Sequence, residues 1–412
     1  MLFRRTALLL FTLPLHADVD AWDLPPVSYS DTPARDRMAL LAEKWQRDPS
    51  LLRGAKPLER VREILAALDV PESSQVLVFS KTSKQNGLIS PGNPRALYFS
   101  RDCYFGYVPG GMMEVIIQDA ALGPVFYVID PGNAAALPKV ERDTNDCLSC
   151  HGTGRTENAP GLLVRSVYPN EDGRPLLSLG SGLVTHQTPV AERWGGYYVT
   201  GSISLPHLGN RTFTDGREAE PERTDWQDLT GKINTSKYLR STSDVVALMV
   251  LEHQCQAHNL FTSASMNYRR AYYLGKAMDP QGDPDQSSAG RVADHAAAKI
   301  VEWFLFADEA DQGADGVEGD DEFQRQFEAS VPHAEDGASL ADFQLNGRTF
   351  KHRCSYMIYS EAFRSLPAAV KSRVLAGLRK VFEAPAADDA YPDMKLPERR
   401  KTARILHETG VW

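Results

Sequence analysis

The residues of this chain with the clearest chemical potential are two cysteines and a histidine that stand close together. Two residues separate Cys147 from Cys150, and His151 follows directly. Two thiols at this spacing can add to the two vinyl groups on one edge of a porphyrin, and the adjacent imidazole then reaches the iron as its proximal ligand. The spacing therefore predicts one covalent haem c, bound through Cys147 and Cys150 and ligated by His151.

Other uses of a Cys-x-x-Cys pair need features that this sequence lacks. A thioredoxin-like redox pair needs a βαβ context, and a zinc site needs a second Cys/His pair at metal spacing. A plain structural disulfide is a third alternative. The cysteine and histidine frequencies of the chain predict only about 0.001 Cys-x-x-Cys-His motifs by chance, which favours haem attachment.

The residue on the other face of the iron decides what such a haem can do. His253 and His258 are five positions apart, about 140° around a helix, so at most one of them can face the iron. Two histidines would give a closed, low-potential carrier and a methionine would raise the potential, whereas an open site could bind a diatomic gas or peroxide. The candidate ligands, besides an open or water-filled site, are His186, His207, His253, His258, Met112, Met113, Met249 and Met266.

A short turn after the motif is a candidate support for the proximal histidine. Pro160 and Gly161 resemble the loop of small cytochromes c in which a proline carbonyl accepts a hydrogen bond from the proximal imidazole. A plain turn is the alternative. Arginines near the motif could pair with the haem propionates through charge-assisted bonds or simply be surface charges, and these are Arg155, Arg165 and Arg193.

The elements that must position these residues change character along the chain. Short β-like runs separated by Gly, Pro, Asn and Asp fill residues 75–204, which surround the motif. Apolar residues at helical spacing predict helices over residues 36–46, 58–68, 243–276, 289–306, 321–330, 366–383 and 396–408. The fold class is therefore α+β, with a β-rich haem-bearing domain followed by an α-helical domain. The expected segments are 1–17, 18–70 (extended and helical), 71–215 (haem domain) and 216–412 (helical domain).

The first 17 residues have the layout of a secretory signal peptide. Arg4 and Arg5 precede an apolar run of about ten residues, and Ala17 offers a small residue for cleavage. That run is too short to span a bilayer, and no later segment is long enough, so no transmembrane helix is expected. A buried N-terminal helix is the alternative. We expect a periplasmic or secreted protein, which agrees with haem attachment outside the cytoplasm.

Composition limits the remaining classes of function. The formal charge of −9 argues against nucleic acid as a partner, because phosphate binding needs a concentrated basic face. Residues 308–322 carry eight carboxylates and match a calcium-loop template only in part, so they favour a solvated acidic loop that would attract a basic redox partner. Cys103, Cys255 and Cys354 are expected to be buried thiols, with a Cys103–Cys354 bridge as the alternative.

Several segments resemble an uncharacterised family of secreted bacterial monohaem proteins with a c-type cytochrome domain. The resemblance covers most of the chain and is carried by residues 89–99, 147–167, 192–201, 251–254 and 354–360. It implies an exported protein with one haem c. A looser similarity, at the level of the fold, is to haem-bearing sensor domains of PAS-like shape, in which a strand-rich core carries Cys-x-x-Cys-His.

These patterns predict an exported c-type cytochrome that passes single electrons to a partner protein. The alternatives are a haem enzyme of peroxidase or oxygenase type, a gas or redox sensor with an open iron site, and a binding module whose haem is structural. No catalytic residue is assigned. Size argues for more than electron transfer, because a haem carrier needs about 100 residues and this chain has 412.

Overall fold

Seven antiparallel strands form the central sheet, with two helices before its first strand in the chain and a series of helices after its last strand. The computed structural model describes residues 20–52, 54, 56–131, 138–217, 219–384 and 394–412. The predicted α+β class is confirmed at this level. Residues 1–17, where a signal peptide is predicted, lie outside the described residues. Within the described ranges, no helix has the length and apolar character that crossing a membrane requires.

The first six strands lie side by side in the order in which they occur in the chain. The sheet order is β6-β5-β4-β3-β2-β1-β9, and the other four strands form two small pairs, β7 with β8 and β10 with β11. Strand bounds are β1 Val76–Val78, β2 Arg95–Phe99, β3 Cys103–Tyr107, β4 Met113–Asp119, β5 Gly123–Asp130, β6 Lys139–Asp143, β7 Arg165–Val167, β8 Ser181–Leu183, β9 Tyr197–Tyr198, β10 Ser202–Ile203 and β11 Val317–Glu318.

The longer helices agree with the apolar periodicity to within about two residues at each end. Short 3₁₀ turns connect many of the elements. Helix bounds are α1 Arg37–Arg47, α2 Pro57–Ala67, α3 Leu148–His151, α4 Val245–Met278, α5 Ser288–Phe304, α6 Asp321–Ala329, α7 Glu361–Arg364, α8 Ala368–Phe382 and α9 Leu396–Glu408.

Side chains of the sheet alternate between two apolar cores. Phe105 on β3 and Val115 on β4 point toward α1 and α2, and they share a core with the buried side chains of those helices. Tyr104 is paired with Ile116, and Ile116 with Phe126, so these three residues form a row across β3, β4 and β5. Because the pleat alternates with a period of two, this row lies on the face opposite Phe105.

Helix α4 has the deepest position in the fold. Asp244 is its N-cap and accepts a hydrogen bond from the Ala247 amide, as expected for a helix that begins near residue 243. Its 34 residues span about 50 Å, and its first half is buried on nearly all sides. Polar side chains in that half must therefore find partners within the protein.

An ion pair links the buried part of α4 to the loop before β9. Glu252 Oε2 lies 2.9 Å from Arg193 Nη1, and neither side chain is more than 2% exposed. Trp194 Nε1 donates to the other carboxylate oxygen. Burial raises the pKa of Glu252 to about 7, although Arg193 and Trp194 oppose that shift. Breaking such a pair leaves an uncompensated charge inside the protein.

We predict that Arg193→Met lowers the free energy of unfolding by about 3–5 kcal/mol, because the buried Glu252 carboxylate loses the guanidinium that pairs with it. The double variant Arg193→Met, Glu252→Leu is expected to regain most of that loss, since no buried charge remains. Urea unfolding measures both. The matched control is Arg47→Met, in an exposed pair with Glu43, which should cost at most about 0.5 kcal/mol. Equal losses at the two arginines would contradict the assigned role.

Candidate functional site

The Cys-x-x-Cys-His motif lies on a single helical turn directly after the edge strand β6. The Asp143 carboxylate at the end of β6 accepts a hydrogen bond from the Cys147 amide at 3.1 Å. The His151 amide donates to the Cys147 carbonyl at 2.9 Å. One turn of helix therefore presents Cys147, Cys150 and His151 together, as the attachment of one planar group requires.

All three motif side chains line a deep cleft between the sheet and α4. The cleft has about 1320 Å³ of empty space, including its open mouth. The row of sheet side chains Tyr104, Ile116 and Phe126 forms its floor, and α4 contributes Leu251 and Cys255. We call this space the central cleft. Its apolar walls with a few polar groups are typical of a cofactor site.

His151 is held in one orientation. Its Nδ1 lies 2.8 Å from the Gly161 carbonyl oxygen, so Nδ1–H donates and Nε2 keeps its lone pair. The ring packs against Phe126 with centroids 5.3 Å apart. Burial lowers the pKa of His151, which favours the neutral imidazole that binds a metal.

The predicted acceptor of this hydrogen bond was one residue too early. The sequence assigned it to the Pro160 carbonyl, whereas the structure uses that of Gly161. The Gly161 amide in turn donates to the His151 carbonyl at 2.8 Å, so the two residues bond reciprocally. This pairing aims the Gly161 carbonyl at the imidazole. An outer partner of this kind fixes the ring and raises its basicity as a ligand.

Sequence reasoning missed the residue that anchors this turn. The Asn259 side chain on α4 accepts from the Leu162 amide at 2.7 Å and donates to the Leu162 carbonyl at 2.9 Å. A Cβ on Gly161 would lie 2.4 Å from the Asn259 Oδ1, so only glycine fits at this close approach. Asn259 lies 97 residues from Leu162, and a buried amide in a helical pattern gave no signal of its partner.

The state of the motif cysteines argues against the alternative chemistries. Both thiols are free. Burial and the nearby Asp143 carboxylate raise the pKa of Cys147 to about 12, whereas thiols active in redox exchange or metal binding have lowered values. Within the described ranges, no group of three or more histidine, cysteine or carboxylate side chains is arranged to hold a metal ion. A zinc site is therefore not supported.

Basic side chains gather in the central cleft. Lys84, Arg95, Arg155 and Arg165 line it, against the acidic Glu114 and Asp146. Arg95 passes over Gly106 and pairs with Glu114, yet its Nε is buried and has no hydrogen-bond acceptor among the described residues. Two of the arginines predicted as propionate partners, Arg155 and Arg165, are thus in the cleft. The third, Arg193, is not, because it pairs with Glu252.

None of the four candidate histidine ligands lines the central cleft. His186 and His253 face each other through their Nδ1 atoms at 2.8 Å, and Trp303 packs against both rings. His253 Nε2 lies 2.6 Å from the Ser355 hydroxyl, which completes its hydrogen bonding. In this arrangement neither His186 nor His253 reaches the central cleft, and the identity of the sixth iron ligand stays a prediction.

His207 and His258 are also engaged elsewhere. His207 Nδ1 accepts from the Gly209 amide at 3.0 Å, so this histidine closes a local turn. His258 lies behind the cleft, where its Nδ1 is 2.8 Å from the hydroxyl of Tyr104. Of these two residues, Tyr104 lines the cleft and His258 does not. The candidate methionines Met112, Met113, Met249 and Met266 are likewise outside the lining.

Two weaker sequence features lie away from the central cleft. Carboxylates of the acidic segment are engaged by arginines: Glu309 pairs with Arg353, while Asp320 and Glu322 pair with Arg240. These carboxylates are thus not grouped as calcium ligands. The three remaining cysteines are free and buried, as predicted, and they are Cys103, Cys255 and Cys354.

The donor set of the central cleft fits a haem c. Two thiols and a neutral imidazole lie on one helical turn, apolar side chains form the walls, and guanidinium groups are available for two carboxylates. No protein-family model, curated protein or solved structure matches this chain, so the geometry alone bears on its function.

We predict that Asn259→Ala frees the Gly161–Leu162 turn and lowers the free energy of unfolding by about 1–3 kcal/mol, because a buried amide and a buried carbonyl lose their partner. Hydrogen exchange at the Leu162 amide should become faster, and the opening free energy calculated from its rate should fall by a similar amount. The matched control is Asn267→Ala, two turns along the same helix on its exposed side, with an expected loss below about 0.5 kcal/mol. Unchanged exchange at Leu162 would contradict the anchor.

Proposed function

We propose that this protein is an exported haem c protein whose iron accepts a small exogenous ligand on the side opposite His151. Cys147 and Cys150 would bind the haem covalently, and the Nε2 of His151 would ligate the iron. Residues 71–215 would then be the β-rich haem domain of PAS-like shape. The observation that carries this proposal is the central cleft, in which the complete motif faces a wall that, among the described residues, contains no histidine or methionine.

The part of the cleft wall without histidine or methionine lies around Tyr104, two strands away from the strand that contacts His151. Phe126, which packs against His151, is on β5, and Tyr104, at the other end of the row, is on β3. Adjacent strands are about 4.8 Å apart, so the row is about 10 Å long. Tyr197 and Cys255 also lie at this end of the cleft. Burial raises the pKa of all three side chains, so their hydroxyl and thiol groups stay protonated.

This wall favours ligand binding over a closed electron carrier. Neutral phenols and a neutral thiol are poor iron ligands compared with imidazole or thioether, but they donate hydrogen bonds. A bound haem would supply an iron centre for diatomic gases or peroxide, and these side chains would supply the polar contacts. A haem enzyme or a ligand sensor is therefore the function that the geometry supports best.

Electron transfer to a partner protein is the second candidate, and one observation favours it. Cys150 is exposed at the mouth of the central cleft, so a haem edge bound there would be within reach of another protein. Arg155 and Arg165 line the same cleft, while Lys84 is paired with Asp143 and Asp146. The sequence suggested a basic partner on account of the acidic segment, but these cations would instead attract an acidic one.

We predict that the protein, expressed with a c-type haem maturation system, retains haem after denaturation and loses it in the variant Cys147→Ser, Cys150→Ser. The reason is that each thiol forms one thioether bond to the porphyrin. Haem staining of a denaturing gel and the pyridine haemochrome spectrum measure this. The matched control is Cys354→Ala, a buried cysteine outside the cleft, which should keep the covalent haem.

The ligand spectrum of the same protein separates the two candidates. An iron that accepts an exogenous ligand should bind carbon monoxide when ferrous and cyanide when ferric, with a clear shift of the Soret band. A low-spin spectrum that neither ligand changes would refute the open site and leave the electron carrier. Absence of covalent haem from the unmutated protein would refute both.

A further inference from the structure

Three buried residues form a continuous line behind the central cleft. Tyr104 lines the cleft and its hydroxyl is 2.8 Å from His258 Nδ1. His258 Nε2 is 3.7 Å from Asp102 Oδ1. The histidine is fully buried, and neither of the other two residues is more than 9% exposed. Tyr104 and Asp102 belong to one strand and the turn before it, whereas His258 comes from α4, so the line crosses between the sheet and the helix.

The far end of this line reaches a second cavity. Asp102 lines a space of about 1310 Å³, including its open mouth, between the end of β2 and α6. Arg37, Asp69 and Arg101 also line it, with Phe323 of α6 on the opposite side. Central cleft and second cavity have no residue in common, and Tyr104, His258 and Asp102 connect them through the core.

Hydrogen-bond roles along the line follow from the charges of its ends. Burial raises the pKa of Tyr104 well above its usual value, so the phenol is neutral and donates to His258 Nδ1. With Nδ1 as the acceptor, a ring proton is on Nε2, which faces the Asp102 carboxylate and has no other partner among the described residues. The opposite tautomer would place a bare nitrogen lone pair against that carboxylate.

Asp102 is held as a carboxylate. Burial would raise its pKa, but His258, the Glu361 amide at 3.0 Å and Arg101 at 3.6 Å outweigh burial and lower it. Both carboxylate oxygens accept from the Glu361 amide, which begins the short helix α7. A fixed anion beside an imidazole stabilises the imidazolium form, as in the serine–histidine–aspartate arrangement of hydrolases.

We propose that Tyr104, His258 and Asp102 form a proton relay that exchanges one proton with a small protic ligand, such as a peroxide, bound in the central cleft. This inference rests on the proposed haem function. Tyr104 takes the ligand's proton on its oxygen while its own proton passes to His258 Nδ1. The product is a ligand anion and an imidazolium beside the Asp102 carboxylate. The reverse transfers return the proton, so no electrons are gained or lost in either direction.

The relay explains why a phenol, and not a second histidine, lines the cleft at the end away from His151. A histidine in direct contact with the iron would ligate it and block the ligand. Tyr104 separates the imidazole from the cleft by one hydrogen bond and still gives it access to the proton. The imidazolium remains in the core, where Asp102 provides the compensating charge.

Reaction rates with two small ligands test the relay. Hydrogen peroxide must lose a proton to react with a haem, whereas carbon monoxide binds without proton transfer. In the haem-loaded protein, Tyr104→Phe, His258→Gln and Asp102→Asn should each slow the reaction with hydrogen peroxide, by about 100-fold for the first two. The rate of carbon monoxide binding should stay within about twofold of the unmutated protein, as expected for an intact cleft.

A control variant and a conservative variant distinguish loss of proton transfer from a general disturbance of the fold. Tyr107→Phe removes a buried phenol from the same strand on the opposite face of the sheet, and it should leave both rates unchanged. Tyr104→Phe keeps the ring and removes only the hydroxyl, so it is the variant least expected to disturb folding. Asp102→Glu should recover part of the peroxide rate that Asp102→Asn loses.

A spectroscopic readout is independent of turnover. Nitrogen-15 shifts of His258 should report a proton on Nε2 and none on Nδ1, and Tyr104→Phe should reduce this preference. If all three variants react with hydrogen peroxide as fast as the unmutated protein does, and still bind carbon monoxide, the relay is refuted and the haem function stands. Failure of the unmutated, haem-loaded protein to bind carbon monoxide would refute the open iron site and the relay with it, and absence of covalent haem would refute the haem function itself.

Discussion

The burial of helix α4 is the constraint on which the other elements depend. A helix surrounded by protein has no water for its polar side chains. Each of them must therefore find a partner within the core, because an unpaired buried polar group lowers the stability of the fold. Glu252 pairs with Arg193, His253 with His186, and Asn259 with Leu162. Arg193 and His186 belong to the connection between β8 and β9, and Leu162 belongs to the turn after the motif. The polar side chains of one helix therefore fix the positions of loops that have little regular structure of their own.

Helical periodicity distributes these roles around α4. Residues 251, 255 and 258 follow at intervals of four and three, so they share one side of the helix, which faces the central cleft and Tyr104. Glu252 and Asn259 are seven apart and anchor the loop before β9 and the turn after the motif. His253 lies on yet another side, against Trp303 of α5. The helix thus supports the cleft and attaches the helical half at the same time.

Local signals explain what the sequence could predict. The apolar periods located the long helices and the first strands, and the fixed spacing of Cys147, Cys150 and His151 located the motif, because both depend on neighbours in the chain. The error of one residue at Pro160 came from applying a loop geometry by resemblance, while here the Gly161 carbonyl faces the ring. Asn259 could not be found, because its partner Leu162 is brought close only by the packing of α4 on the sheet.

All four histidine candidates lie outside the lining of the central cleft, and their local hydrogen bonds give the physical reason. A buried histidine needs a partner for each ring nitrogen, and nearby hydroxyls, carbonyls and a second imidazole satisfy that need without a metal. The sequence revealed that these histidines lie in apolar patterns, but an apolar pattern is compatible with either role. His258 shows how near the two roles are, since one phenol stands between it and the central cleft. In the proposed haem protein, the Tyr104 hydroxyl would keep the His258 imidazole away from the iron and leave that side of the cleft open to a ligand.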